Sequence, residues 1–225
     1  MKLAGHILRE DAASAPHRLT AGGLAWGAKR VIDIALSLGL LLLTGPVLVA
    51  ATVLIASIDR QRPFYIDERV GRNGWLFKCI KLRTLRPDSV LLASYLRQQP
   101  AEAARYGDSR KLVNDPRKTR LGAVLRKLSI DETPQLLNVL LGQMSIIGPR
   151  PLAPDEWRAR GAAARDLLLV KPGLTGLWQV SGRSELTMDE RVRYDSQYAR
   201  DWTLLLDLKI LLITPFVILA GRGAT

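Results

Sequence analysis

The sequence predicts a mainly helical α/β protein attached to a membrane, and three observations support this fold class. One strongly apolar run without a charge covers residues 34–58. Two stretches between residues 63 and 85 are rich in strand-forming residues and are separated by turn residues. Several later segments carry the apolar spacing of amphipathic helices. Because 225 residues are enough to bury a core, we expect one compact domain beside the apolar run.

The apolar run is long enough to cross a bilayer only if it stays one helix. Its 25 residues would rise about 37 Å, but Pro46 follows Gly45 at the centre and leaves 12 residues on each side. Lys29 and Arg30 precede the run and two arginines follow it. If positive charge marks the cytoplasmic side, both ends lie there, which favours a re-entrant helix broken at Pro46. A membrane span kinked by the proline is the alternative, and the composition leaves both open.

The start of the chain and its few cysteines and histidines carry little chemistry. Residues 1–27 are predicted to be a flexible tail, and they lack the apolar core of a cleaved secretion signal. His6 and His17 lie in this tail, where solvated side chains are expected. Cys79 is the one cysteine, so no internal disulfide can form, and the chain has too few cysteines and histidines for the usual zinc sites.

The charge distribution predicts an anionic partner. The net charge is +12, and residues 59–128 alone contain 17 Lys and Arg against 7 Asp and Glu. Nucleic acid, phospholipid headgroups and a phosphorylated substrate all fit such a block. Lys81 and Arg83 would lie on one face of a strand, and this face fits lipid headgroups, a phosphate ligand or both together.

Further local patterns predict the remaining elements. Strands are expected at residues 63–66 and 76–84, on either side of a turn at 70–75. Helices are expected at residues 89–99, 101–110, 188–199 and 204–220. The last of these is short for a membrane span, so we interpret it as an interfacial or core helix that Pro215 bends.

An acidic pair, Asp131 and Glu132, lies in an otherwise basic segment. Ser129 and Glu132 have the spacing of a capping box, and Asp131 is an alternative N-cap, so a helix is expected to begin here and to stop at Gly142. A helix N-terminus would favour the ionised form of both carboxylates. Taken alone, the pattern favours simple capping.

The segment Gly148-Pro149-Arg150-Pro151 changes that balance. Proline fixes φ on either side of Arg150, so this arginine loses little freedom when it binds a phosphate. A rigid arginine together with an activated carboxylate indicates phosphoryl chemistry with a carboxylate nucleophile.

Several motifs follow one another in a fixed order along the chain. They are Arg69-Val70-Gly71-x-x-Gly74, Lys81-x-Arg83-Thr84, Leu125-Arg126-x-x-Ser129-x-Asp131-Glu132-x-Pro134-Gln135-x-x-Asn138-Val139, Gly148-Pro149-Arg150-Pro151, residues 171–183 and Tyr198-Ala199-Arg200-Asp201-Trp202. Together these motifs resemble one family, the bacterial sugar transferases, which are small monotopic polyprenyl-phosphate phosphoglycosyl transferases. The resemblance covers the chain from about residue 28 to its C-terminus and is greatest to the undecaprenyl-phosphate galactose or glucose phosphotransferases that initiate exopolysaccharide synthesis.

The resemblance implies a two-step mechanism. Asp131 matches the nucleophile, which attacks the β-phosphate side of a nucleotide sugar's diphosphate, gives an aspartyl phosphosugar and releases UMP. Undecaprenyl phosphate then takes the sugar phosphate from this intermediate. Glu132 matches the partner carboxylate, and Mg²⁺ is the implied cofactor, held by Glu132 and Asp131.

The resemblance also assigns roles to residues and segments. A re-entrant membrane helix at residues 28–60 would be followed by a cytoplasmic catalytic domain with amphipathic surface helices at residues 61–225, on the inner membrane of a bacterium. The implied phosphate and nucleotide ligands are Arg126, Arg150 and Arg183, joined by Lys81 and Arg83 as phosphate-binding candidates, while Gly45 and Pro46 match the break of the membrane helix and Lys29 and Arg30 match its basic pair at the membrane surface.

The implied partners are a UDP-sugar, undecaprenyl phosphate and membrane lipid, without nucleic acid. UDP-galactose or UDP-glucose is favoured over an acetamido sugar, and a homodimer and contacts with other polysaccharide assembly proteins stay open. The competing hypotheses are a membrane-anchored nucleic-acid binder and a scaffold with an inactive site. The basic block carries its aromatic residues mostly in apolar surroundings, unlike a base-stacking surface, and the intact acidic pair argues against the scaffold.

Overall fold

The computed structural model describes residues 23–109, 112 and 114–219. The predicted α/β class with a large helical share is confirmed in this part of the chain. Its helices are α1 (Gly23–Ser57), α2 (Ser89–Gln98), α3 (Pro100–Ser109), α4 (Arg120–Lys127), α5 (Gln135–Leu140), α6 (Pro154–Arg160), α7 (Leu177–Ser181), α8 (Met188–Arg200) and α9 (Leu204–Leu219). Its strands are β1 (Phe64–Val70), β2 (Leu76–Leu82), β3 (Ser145–Ile147) and β4 (Gly173–Thr175).

Most predicted elements are present with shifted ends. The two strands before residue 85 form an antiparallel hairpin, and helices occupy all four predicted segments. Residues 110 and 220, the predicted ends of two helices, lie outside the described residues, as do residues 1–22 of the predicted tail with His6 and His17. Helix α1 begins at Gly23, so residues 23–27 belong to the helix rather than to the tail.

Strands β3 and β4 form a parallel pair that the sequence patterns did not indicate. Ser145 lies opposite Gly173 in this pair. The segments approach each other so closely that a Cβ on Gly148 would clash with the backbone of Lys171, and one on Gly173 with the backbone of Gly148. The glycines therefore allow the segment after β3, which contains Arg150, to lie directly against β4.

Helix α1 continues through Gly45 and Pro46, where the sequence predicted a break, and it is the described helix that is long and apolar enough to cross a membrane. Near its start, Trp26 stacks on Trp202 with ring centroids 3.8 Å apart. Near its end, Ile55 is fully buried in a cluster with Leu82 and Leu125. Its middle is largely exposed apolar surface, so this helix is not the buried core helix of a globular domain.

A buried ionic cluster of Lys29, Tyr198, Trp202 and Asp207 fastens α1 to α8 and α9. Lys29 Nζ lies 2.6 Å from Asp207 Oδ2 and also donates to Ile147 O and to the Tyr198 hydroxyl. The Tyr198 hydroxyl and the Trp202 indole N–H both donate to the Asp207 carboxylate. Lys29 was expected at the membrane surface. The structure turns its ammonium group inward, because an acid on α9 compensates its charge.

Arg30, the second member of the expected basic pair, also binds within the protein. Its guanidinium donates to Val139 O at 2.6 Å and to Leu140 O at 2.7 Å, at the C-terminal end of α5. Helix C-termini expose carbonyl groups without intrahelical partners, and a cation satisfies them well. Arg30 therefore joins the first turns of α1 to the helix that follows the acidic pair.

Candidate active site

The acidic pair lies on a 3-10 turn, Ile130–Glu132, between α4 and α5. Ser129 has φ +56°, and its side chain forms no cap. It ends α4 in the left-handed conformation, with its N–H donating to Arg126 O. Helix α5 begins only at Gln135, after Pro134. The capping-box interpretation was therefore wrong, because the serine terminates an unpredicted helix instead of starting the next one.

Glu132 is paired with a cation from the hairpin. Lys81 Nζ lies 2.8 Å from Glu132 Oε1, and Lys81 lies near the end of β2. The Glu132 side chain remains 44% exposed. The predicted basic residue of the hairpin thus faces the acidic pair, and the carboxylate that it contacts is still open to solvent and to a ligand.

Asp131 is a carboxylate with an unusually high proton affinity. Burial raises the pKa of Asp131 to about 6, and repulsion from Glu132 adds to this, while Lys81 and Arg126 act in the opposite direction. The expected helix N-terminus, which would have lowered this pKa, is not formed there. The carboxylate is still mostly ionised at neutral pH, but it is a stronger base than an exposed aspartate, as suits a nucleophile.

Arg126 reaches the same site from α4. Its Nε donates to Thr84 Oγ1 at 2.8 Å, and Thr84 itself is buried. Gly122 allows this approach, because a Cβ there would clash with the Thr84 backbone. The site is thus built from three segments: the end of the hairpin, helix α4 and the 3-10 turn.

Arg150 lies apart from these contacts, and Asp195 of α8 holds its backbone. The Arg150 N–H donates to Asp195 Oδ2 at 2.9 Å, while Arg150 Nε is buried without a hydrogen-bond partner. Asp195 is almost completely buried. The described contacts do not join Arg150 to the acidic pair.

Arg83 and Arg183, the other predicted phosphate ligands, have their described contacts away from the acidic pair. Arg83 donates to Arg62 O at 3.0 Å and lies over the Tyr65 ring. Arg183, with φ +50°, donates to Val217 O of α9 at 3.4 Å. Of the predicted site residues, the structure therefore brings together Lys81, Arg126, Asp131 and Glu132.

Asp131 and Glu132 could hold Mg²⁺ only together with a ligand. Within the described ranges there is no group of three or more His, Cys, Asp and Glu residues that could bind a metal. Mg²⁺ commonly takes one or two carboxylates and fills its other positions with water and substrate phosphates. Two adjacent carboxylates, one of them partly exposed, fit a metal that is shared with a phosphorylated substrate.

The fold and the site define an α/β protein that has one described helix long and apolar enough to cross a membrane and a carboxylate pair flanked by cations. The family model described as "Bacterial sugar transferase" matches residues 24–221. The chain therefore belongs to the bacterial sugar transferase family, and the resemblance found in its motifs is confirmed.

Three relatives illustrate the range of similar proteins. The exopolysaccharide production protein ExoY of Rhizobium meliloti (strain 1021) is 43% identical over 205 residues, which are 90% of this chain and 89% of that protein. The undecaprenyl-phosphate galactose phosphotransferase of Salmonella typhimurium (strain LT2) is 42% identical over 197 residues, which are 87% of this chain but 41% of that protein. An undecaprenyl-phosphate glucose phosphotransferase of Komagataeibacter xylinus is 38% identical over 198 residues, 83% of this chain and 35% of that protein.

Proposed function

We propose that this protein transfers a hexose 1-phosphate from a UDP-sugar to undecaprenyl phosphate, with Asp131 as the covalent nucleophile, as the first membrane step of exopolysaccharide synthesis. The observation that carries the proposal is Asp131 itself, a half-buried carboxylate of raised pKa beside Glu132, Lys81 and Arg126. The relatives named as galactose and glucose phosphotransferases support a hexose donor.

In the first step, a carboxylate oxygen of Asp131 attacks the sugar-bearing phosphorus of the donor. A new bond forms between that oxygen and the phosphorus, the bond to the bridging diphosphate oxygen breaks, and UMP leaves with that oxygen. In the second step, a phosphate oxygen of undecaprenyl phosphate attacks the same phosphorus and the Asp131 carboxylate departs. A covalent intermediate lets a soluble donor and a lipid acceptor use one site in turn.

The surrounding groups would stabilise the charge of both steps. Lys81 and Arg126 act against the raised pKa of Asp131, so both cations lie close enough to stabilise negative charge at this carboxylate. Mg²⁺ held by Asp131 and Glu132 would neutralise diphosphate charge. Arg150 and Arg183 are proposed to bind phosphate or nucleotide groups of the donor once it occupies the site.

We further propose that α1 is a re-entrant helix on the cytoplasmic side of the inner membrane. Its beginning is fastened to α9 through Lys29 and Asp207, and its end packs through Ile55 against Leu82 of the hairpin. Both ends thus contact the same domain, which a helix with its ends on opposite faces of a bilayer could not do. Pro46 lies between them, in the exposed apolar middle of the helix.

The decisive experiment measures UMP release from UDP-galactose and from UDP-glucose. Purified protein, undecaprenyl phosphate and Mg²⁺ would be used with wild type, Asp131→Asn and the exposed control variant Asp189→Asn. We expect release by wild type and by the control, and a loss of at least about 1000-fold in Asp131→Asn, because the nucleophile is absent.

Withholding the acceptor tests the covalent step directly. The wild-type protein should then gain the mass of one hexose phosphate, and Asp131→Asn should not. UMP release by Asp131→Asn at the wild-type rate would remove Asp131 as the nucleophile. Release from neither donor would argue against a galactose or glucose donor, and a panel of UDP-acetamido sugars would then identify the substrate.

A further inference from the structure

Arg150 is held through its backbone rather than through its side chain. Pro149 and Pro151 have no N–H, so the amide of Arg150 is the one backbone donor of residues 149–151. That amide donates to Asp195 Oδ2 at 2.9 Å, and it is the hydrogen bond that Arg150 forms within the described part of the chain. The buried Nε of Arg150 has no hydrogen-bond partner there. The Asp195 carboxyl group therefore fixes the position of the Arg150 backbone, from which the arginine side chain extends.

Asp195 lies on helix α8, and hydrogen bonds hold both ends of this helix. Helix α8 begins with a capping box in which Thr187 and Glu190 bond each other reciprocally. One turn after Asp195, Tyr198 is tied to Asp207 in the buried ionic cluster. Since both ends of α8 are fixed, the position of the Asp195 carboxyl group is fixed with them.

We propose that Asp195 is a positioning residue that holds the Arg150 backbone while leaving the arginine side chain free to bind a phosphate of the donor. This inference rests on the proposed function, because it assumes that Arg150 meets the donor. Asp195 would not touch the substrate, and its effect would pass through Arg150.

The charge state of Asp195 is consistent with a group that holds the Arg150 backbone and leaves the arginine charge available for a phosphate. Burial raises the pKa of Asp195 to about 8, against the lowering influence of Arg150. At neutral pH the carboxyl group is therefore mainly neutral, and the positive charge of Arg150 is not cancelled by its nearest acid. A buried carboxyl oxygen, Asp195 Oδ1, has no partner in the described structure, so no second donor stabilises the ionised form of this group.

Other groups around Asp195 have their own partners. On the same helix, the Arg191 guanidinium lies over the Trp178 ring and the Tyr198 hydroxyl bonds to Asp207. On the facing 161–169 turn, Ala163 O accepts from the Ser196 hydroxyl. Arg150 is thus the charged group that acts on Asp195.

The kinetic test compares Asp195→Ala, Asp195→Asn and the control variant Ser196→Ala, which removes a neighbouring buried hydrogen bond that does not reach Arg150. We expect Asp195→Ala to raise the KM for the UDP-sugar about tenfold with a smaller change in kcat, since one hydrogen bond is lost. Asp195→Asn, which keeps a neutral acceptor, should stay within about threefold of wild type at pH 7. Equal donor KM values in Asp195→Ala and Ser196→Ala would overturn the inference.

The pH dependence adds a readout that a purely structural role would not change. Above a pH of about 8 Asp195 ionises, so the donor KM of wild type should rise as the carboxylate offsets the Arg150 charge. Asp195→Asn should lack this rise. A rise of the same size in both proteins would contradict the proposed charge role.

Amide hydrogen exchange tests the positioning without turnover. A peptide that covers residues 149–151 reports the Arg150 amide, which should exchange faster in Asp195→Ala but not in Asp195→Asn or Ser196→Ala. Unchanged exchange in Asp195→Ala would overturn the inference. An unchanged donor KM in Arg150→Ala would also overturn it, because no binding arginine would then need positioning, whereas the Asp131→Asn assay tests the proposed function separately.

Discussion

Asp131 and Asp207 are both aspartates, but their surroundings differ in how far they compensate the carboxylate charge. In the ionic cluster, Asp207 accepts from Lys29, Tyr198 and Trp202, and the Lys29 ammonium has three partners of its own. At the acidic pair, the structure describes no cation within ion-pair distance of Asp131. The charge of Asp207 is therefore matched by close partners, whereas Asp131 has no cation at ion-pair distance among the described residues.

The difference separates stability from chemistry. A buried pair in which every polar atom has a partner is expensive to break, because removal of one member leaves the other charge uncompensated. An under-compensated carboxylate weakens the folded state but is more basic and more nucleophilic. The ionic cluster therefore anchors the apolar helices to the domain, whereas Asp131 keeps the basicity that the proposed nucleophile needs.

Breaking the ionic cluster should have the largest effect. We expect Asp207→Asn to lower the free energy of unfolding by about 3–5 kcal/mol, because Lys29 stays buried without its counter-charge. Denaturation in detergent micelles measures this loss. The double variant Lys29→Met/Asp207→Leu should recover most of it, since it removes both charges. A double variant no more stable than Asp207→Asn would show that packing, not charge, holds this region together.

Changing the acidic pair should instead affect turnover. We expect Glu132→Gln to reduce UMP release by about 100-fold or more, because the carboxylate proposed to bind Mg²⁺ is lost. Its thermal stability should change little, since Glu132 is 44% exposed and its pair with Lys81 lies near the surface. Glu185→Gln, in an exposed turn, is the control. A large loss of stability in Glu132→Gln would show that Glu132, like Asp207, mainly stabilises the fold.

The same contrast explains which features the sequence could predict. Local patterns predicted the hairpin around the 70–75 turn, because strand propensity and turn residues act over a few positions. The pairing of Lys81 with Glu132 lies 51 positions apart in sequence, yet the hairpin and the acidic motif were each recognisable, and the family resemblance brought them into one site.

Other features depend on contacts that no local pattern contains. Lys29 carries the signature of a membrane-flanking base, and only the packing of α9 reveals that Asp207 neutralises it inside the protein. Ser129 and Glu132 have capping-box spacing, but α4 ends at this serine and leaves the pair on a 3-10 turn. Asp195 lies in the predicted helix at residues 188–199, but its hydrogen bond to the Arg150 backbone joins positions 45 apart in sequence, which no local pattern indicates.

The smallest expected effect is the change in the free energy of unfolding caused by Asp131→Asn. Burial raises the pKa of Asp131 from 3.8 to about 6 in the folded protein, so between these values the folded state binds more protons than the unfolded state. Wild-type stability relative to Asp131→Asn must therefore fall as the pH rises from about 4 to about 6 and level off above that. Since the side chain is only half-buried by accessible surface, we expect about 1–2 kcal/mol. Thermal unfolding in EDTA, which keeps metal from the carboxylates, measures the difference, with the exposed Asp189→Asn as the control. If Asp131→Asn were less stable than wild type at pH 7, as Asp207→Asn should be, the distinction between a reactive and an anchoring aspartate would fail.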